Sequence, residues 1–413
     1  MTLATLREAC RAIDAEQIAE RATRFLEVWS PPGGEAEFAQ LVRASLMEAG
    51  AQDVVLDEEF DGSPSVIGWL RGPSPGPTIQ WHAHLDAIST PHAPVRREGD
   101  LIYGRGAADM KGAIAAMVES IRLLRAADLP QQGQILITYH GMHEEGRSVP
   151  LVRLIERGFV GDAVLIGELG SGDQLITSSR GLTFWEFKIA GSDDSIHETN
   201  APSEVINPLT VGLQLVDRLR ALASGLDGGS VAPRGALYIG KFVSGDYYNR
   251  IPTSCVIAGT RRHEADGSLE QVRDELLAIA ADVERTTGAT VEAQIQDMFE
   301  AYEIDPNVSI ATALREAHFE MTGQAMVPGA SGASGNAVDF VLRAGVPAVY
   351  YGCDYASAHS DHERLSVQEL ARIAAVFALT SVLFLEGSRA DQVATAAPAP
   401  LDPSAESAAA EAR

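Results

Sequence analysis

Short, continuously apolar segments separated by helical ones constrain this chain most. "TIQW", "QILITY", "AVLI" and "PAVYY" are β-prone and bounded by polar or turn residues, so each reads as a strand. None alternates cleanly between polar and apolar, which requires both faces of their sheet to be covered. Between them, Lys111 to Leu124 reads as a helix with Ile114, Met117, Ile121 and Leu124 on one face. The expected fold is α/β, a mostly parallel sheet with helices on both faces.

From about Ser179 to Gln294 the texture changes. "GLTFWEFKIAG", "GALYIGKFV" and "SCVIAGTRRH" are longer and alternate more, and two helices, "NPLTVGLQLVDRLRAL" and "SLEQVRDELLAIAADVE", lie among them. A smaller α+β domain inserted into the first is expected. The α/β pattern resumes near "VSIATALREAHFEM". The predicted organisation is 1–178 and 296–387 as two parts of one domain, 179–295 as the insertion, and 388–413 as a tail. That tail is rich in Ala, Pro and Ser without an apolar face, so disorder is expected. A length of 413 residues also favours two domains over one core.

Charge and cysteine usage narrow the function classes. A formal net charge of −25 offers nothing to neutralise phosphates, which excludes nucleic acid as a partner and fits a solvated acidic surface. Cys10, Cys255 and Cys353 are few, odd in number and unpatterned, so a reducing compartment is expected and no disulfide framework. The N-terminus shows no basic start followed by an apolar run, consistent with a cytoplasmic protein. "IAAVFALTSVLFL" is shorter than the roughly 18–20 residues of a bilayer span and has charged flanks, so it reads as a buried terminal helix and no membrane partner is expected.

Candidate metal ligands recur just beyond the predicted strands. His84 follows "TIQW", Glu144 and Glu145 follow "QILITYHGMH", Glu168 follows "AVLIG", and His359 follows "PAVYYGCDYASA". Asp109 opens the helix after "IYGRGA". Ligands bind at the carboxyl ends of strands in open α/β sheets. Each residue alone reads first as a structural or solvated strand end, or as part of an acidic loop. Together, two imidazoles and several carboxylates suit zinc, cobalt or manganese, and the lack of cysteine argues against a purely structural zinc site. Asp109 has two oxygens and can bridge two cations. Asp86 lies on the same side of the chain as His84 and can accept the free N–H of its ring. On an extended backbone Glu144 and Glu145 point in different directions, so one can hold a metal while the other takes a proton from a bound water whose pKa is near ~7.

These motifs resemble those of the di-metal aminoacylase, carboxypeptidase and deacetylase family, over about Asp14 to Gly387. "HLD" is similar to its His-x-Asp, "YGRGAADMKGA" to its Gly-Arg-Gly-x-x-Asp-x-Lys-Gly block, "HEEG" to Asp-Glu-Glu-x-Gly, "GEL" to Gly-Glu-Pro and "AHSDHE" to His-x-x-Asn-Glu. The resemblance implies two divalent metal ions per subunit, zinc first, with manganese or cobalt as alternatives. His84, Asp109 and Glu168 would hold one; Asp109, Glu145 and His359 the other. Glu144 would be the general base and Asp86 would orient His84. It implies a lid and dimerisation role for the insertion, with His197 offered to a neighbouring site in a homodimer or higher oligomer, and a cis bond after Asp109. Arg180, Asn207, Asn249 and Arg262 fall at substrate-contacting positions, and Ser334 lies in "SGASGN", which resembles a Gly-Thr-Ser-Asp loop. Four places depart from the pattern: His143 stands for Asp, His362 for Asn, "HETNAP" replaces His-Ser-Ser-x-Pro, and "SGASGN" lacks Asp, with Asn336 nearby. These are expected to lie clear of the metal ligands, where substrate is read.

The leading expectation is hydrolysis of a C–N bond in a small molecule, the amide of an N-acyl amino acid or dipeptide, by a metal-bound hydroxide with Glu144 as base. An alternative keeps the metals and attacks an electron-poor aromatic amine such as a nitroanthranilate, releasing ammonia. A third, a binding or scaffold protein, predicts lost ligands or a lost base, and neither is lost here.

Overall fold

The computed structural model describes residues 3–144, 148–170, 173–226 and 236–391, with side chains to 387 at the C-terminal end. Glu145 and residues 392–413 of the expected tail lie outside the described residues. The terminal helix runs to Asp391, past the expected boundary at 387.

Six strands form the central sheet in the order Gln52–Asp57, Ser65–Arg71, Gln132–His140, Ser74–His84, Ala163–Ile166, Ala348–Tyr350. The last four run parallel to one another and the first two add antiparallel, so the sheet is mostly parallel, as the sequence implies. Both faces are covered. Ile79, Trp81 and Ala83 align with Ile135, Ile137 and Tyr139 and bury themselves in the main core. There the Trp81 ring meets Phe377 of the terminal helix edge-on at 5.4 Å, and its Nε1 donates to Ser381 Oγ at 2.8 Å. On the opposite face Ile67 and Leu136 pack with Leu154 of helix Val149–Glu156. Strand period two therefore splits "WHAH": Trp81 and Ala83 enter the apolar core, while His82 and His84 face the second layer, where Phe340 lies 4.8 Å from the His82 ring.

Two helices are more buried than periodicity alone suggests. Gly112–Ala126 is buried on every residue from Gly112 to Ile121, because helices Ala15–Glu27, Ala36–Ala49 and Val367–Asp391 all contact it. Val367–Gly387, 21 residues of mean hydropathy 1.7, meets the length and hydropathy of a membrane span, contrary to the shorter stretch read from sequence. It is a core helix here, with 72% of its most apolar window buried inside the fold.

The inserted segment builds its own antiparallel sheet, ordered Leu237–Ser244, Ser254–His263, Gly181–Ala190, Thr290–Phe299. Helices Pro208–Leu226 and Leu269–Thr287 contribute Leu215, Leu219, Leu276 and Val283 to a separate core with Phe187 and Ile189. The second helix starts at a capping box formed by Ser268 and Gln271. On the first of these helices Leu209 and Leu213 are exposed, while Val216 belongs to the inserted core. The last strand continues to Phe299, beyond 295. All three cysteines are free and buried.

Candidate metal centre

His84 is the last residue of its strand, and His140 ends the neighbouring one directly opposite. Asp109 sits in a tight turn, Ala107–Lys111, before the buried helix, with a non-helical backbone and a cis bond to Met110. Glu363 holds that turn. Its Oε1 accepts from the N–H groups of Ala108 (3.1 Å) and Asp109 (3.2 Å), and its Oε2 accepts from Arg105 Nη1 at 2.8 Å. Arg105 and Glu363 are 4% and 1% exposed at their side chains, so neither charge has water to replace its partner. Glu363→Ala should therefore lower stability by about 3–5 kcal/mol, the usual cost of breaking a buried pair. Urea denaturation would read this, and a change below about 1 kcal/mol, the range of exposed pairs, would contradict it.

Asp109 joins two imidazoles. Its Oδ1 lies 2.8 Å from His84 Nε2, and its Oδ2 lies 3.0 Å from His359 Nε2 and accepts from Tyr355 Oη at 2.9 Å. His359 Nε2 is also 3.2 Å from the Glu144 carboxylate. Glu168, just beyond strand Ala163–Ile166, is buried, and its Oε2 has no hydrogen-bond partner. Gly335 leaves that oxygen room, since a Cβ there would stand 3.3 Å from it. Potential ligand atoms of His84, His143 and Glu168 lie within 4.8 Å of one another, and so do those of His84, Asp109 and Glu144.

The electrostatics match this crowding. Burial, then the charge of Asp109, pushes Glu168 up to about 8. Burial also raises Glu144, with a hydrogen bond to His359 opposing it. Burial alone would raise Asp109, but hydrogen bonds to His359 and His84 hold it well below the usual carboxylate range. Hydrogen bonds to Asp109 and Glu144 lift His359 to about 10. Burial and the nearby His84 push His143 down to about 3, so its ring is neutral. An orphaned buried carboxylate oxygen beside two imidazoles and a shared carboxylate is a donor set that divalent cations fit.

Three sequence expectations change on contact with the structure. His84 Nδ1 donates to the main-chain carbonyl of Asp86 at 2.9 Å, while the Asp86 carboxylate is 3.6 Å away, too long for a hydrogen bond. That carboxylate is turned toward the next loop, where Oδ2 accepts from the Glu144 N–H at 2.8 Å. Glu144 itself lies in a turn rather than on extended backbone, because the strand ends at His140 and Met142 is left-handed. His143 does not lie clear of the ligands: its ring stacks on His84 at 4.4 Å.

The expected substrate residues fall into separate groups. Ser334 Oγ donates to the Arg180 carbonyl at 2.9 Å, and Arg180 pairs with Glu264. Arg262, whose affinity for its proton is lowered by burial and then by the charge of Arg180, has a buried Nη1 with no hydrogen-bond partner. His197 is on the inserted segment, with Nε2 2.8 Å from the Asn249 amide. Asn207 caps the following helix through the Leu209 N–H and borders a surface cavity of about 710 Å³ with Tyr248 and Arg250. Among the hydrogen bonds described, none joins these groups to the Asp109 cluster. Sequence reading missed Tyr355, the support role of Glu363, and Glu35, a buried carboxylate that accepts from the Met142 N–H at 2.8 Å and braces the loop leading to Glu144. Glu363 lies inside "AHSDHE", so that motif carried a signal; nothing near Glu35 or Tyr355 in the sequence did.

The profile of Peptidase family M20/M25/M40 matches residues 80–381. A succinyl-diaminopimelate desuccinylase of Dinoroseobacter shibae is 27% identical over 289 residues, covering 68% of this chain and 74% of its own. The crystal structure of a tripeptidase from Staphylococcus aureus superposes with a TM-score of 0.75 at 18% identity, over 90% of this chain and 99% of that one. The Bacillus subtilis YxeP protein, described as a dinuclear metal binding peptidase, superposes with a TM-score of 0.65 at 17% identity, over 90% and 98%.

Proposed function

Because the chain belongs to peptidase family M20/M25/M40, and so is a metal-dependent hydrolase of amide C–N bonds, we propose that it cleaves the amide of an N-acyl amino acid or dipeptide at two divalent cations. The observation that carries this reading is Asp109, whose two oxygens reach the imidazoles of His84 and His359 in one buried cluster. His84, Asp109 and Glu168 would hold one cation, and Asp109, Glu145 and His359 the other. Zinc suits this mixed set, and manganese or cobalt are alternatives. Bound there, the cations supply Lewis acidity to the scissile carbonyl and lower the pKa of water.

The protein's own groups do the rest. Glu144, raised by burial, takes the proton of the attacking water and returns it to the leaving nitrogen. Asp86 fixes the Glu144 backbone and, through its carbonyl, the orientation of His84. The insertion acts as lid and dimerisation domain and brings His197 to a neighbouring site. Asn207 and Asn249 read the substrate from that side, while Arg180, Arg262 and Ser334 do so from their own cluster; the unpartnered Arg262 nitrogen suits a substrate carboxylate. The enzyme works as a soluble cytoplasmic homo-oligomer.

The test is a substrate panel on protein stripped with chelator and reloaded with zinc, manganese or cobalt. N-succinyl and N-acetyl amino acids, dipeptides and electron-poor aromatic amines make up the panel. Hydrolysis of an acyl amino acid or dipeptide, abolished by chelation, is expected. Ammonia release from the aromatic amines alone would move the reaction to a ring carbon. No turnover of any class by metal-loaded protein would sink the reading.

A further inference from the structure

We propose that His143 is a further metal ligand, its Nε2 completing with His84 and Glu168 a cation position that holds two imidazoles. The inference rests on the dinuclear reading above and concerns the composition of one of its two positions. A ring nitrogen of His143 lies within 4.8 Å of ligand atoms on both His84 and Glu168. The two imidazoles are stacked 20° from parallel with centroids 4.4 Å apart. Stacking alone is what two buried aromatic rings do anyway. Two further observations point to a cation.

The first is the orphaned Glu168 Oε2, a buried carboxylate oxygen that no protein donor satisfies. Leaving such a group unpaired is costly unless something positive meets it. The second is the support behind His143. Its Nδ1 pairs with Ser148 Oγ at 3.1 Å. Ser148 Oγ accepts from Asn336 Nδ2 at 2.9 Å, and Asn336 Oδ1 is anchored 3.2 Å from His140 Nε2 and 3.4 Å from His82 Nε2. With Nε2 on a cation, His143 would carry its proton on Nδ1, where Ser148 Oγ can accept it. Metal-ligating histidines typically carry such an outer partner. Both the histidine in "HEEG" and the asparagine in "SGASGN" depart from the family pattern, and the structure joins them through Ser148. An imidazole where a carboxylate is usual favours zinc or cobalt over manganese.

The direct test is a crystal structure of the zinc-loaded protein. His143 Nε2 is expected about 2.0–2.1 Å from the ion that His84 and Glu168 also bind. In competition titrations with a chromophoric chelator, His143→Ala and His143→Asp should weaken zinc binding by at least the roughly 10–100-fold that losing an outer partner costs. His143→Asp should also narrow the preference for zinc over manganese. A zinc-loaded wild type with His143 off both ions overturns the proposal, even if His143→Ala fails to fold. So does unchanged zinc affinity in a folded His143→Ala protein. Either result, with two ions bound and amide hydrolysis intact, overturns the ligand assignment alone. A wild type that takes up no zinc after reloading overturns the dinuclear reading with it.

Discussion

Glu144→Gln should lower turnover by about 10²–10⁴-fold, the usual contribution of a general base, and by more if the same group serves both proton transfers. The amide is nearly isosteric but cannot accept a proton. Glu144 is well placed for the role. Its backbone N–H is held by the Asp86 carboxylate at 2.8 Å, and its own carboxylate sits 3.2 Å from His359. Burial raises its affinity for a proton, against the opposing hydrogen bond to His359. Metal content, read by inductively coupled plasma mass spectrometry, should stay close to that of the wild type. Near-normal turnover in Glu144→Gln with a full metal complement would remove Glu144 from the role of base. A collapse of metal content in the same variant would instead make it a ligand.

His197→Ala is expected to cost roughly 10²–10³-fold in rate, the typical loss of one hydrogen-bond donor to developing negative charge. His197 is half exposed on the inserted segment. The Thr199 N–H donates to its Nδ1 at 3.3 Å, and Asn249 Nδ2 lies 2.8 Å from its Nε2, so both ring nitrogens are held in place. An exposed, positioned imidazole that makes no hydrogen bond to the Asp109 cluster among the described residues suits delivery to a symmetry-related site. Mixing separates this from a role in its own subunit. A His197→Ala protomer paired with a Glu144→Gln protomer restores one site with both groups intact, so activity should return when two inactive preparations exchange subunits. If exchange is demonstrated and no activity returns, His197 acts within its own chain or not at all.

Much of this architecture is written locally in the chain. Continuous apolar runs between helices determine a covered, mostly parallel sheet, because no other arrangement buries both faces of "QILITY" and "AVLI". Period two at "WHAH" determines that His82 and His84 share a face opposite Trp81. The change of texture after Ser179 announces a second core, and Phe187, Leu215 and Leu276 form one. Placement at strand ends singles out His84, Asp109, Glu144, Glu168 and His359, which meet in one cluster. Periodicity says which residues share a face, but not what a distant segment lays against it. Asp109 and His359 stand 250 positions apart, and Glu363 reaches back 254 to hold the Asp109 N–H. Tertiary packing alone sets such pairings. It also turned the Asp86 carbonyl, rather than its carboxylate, toward His84, since the carboxylate was drawn to the loop at Glu144. It buried helix Gly112–Ala126 on every residue from Gly112 to Ile121 by packing helices Ala15–Glu27, Ala36–Ala49 and Val367–Asp391 against it. And it brought His143 onto the ring of His84, because the turn after His140 folds the chain back across the strand end, a direction that no spacing in "HGMHEEG" encodes.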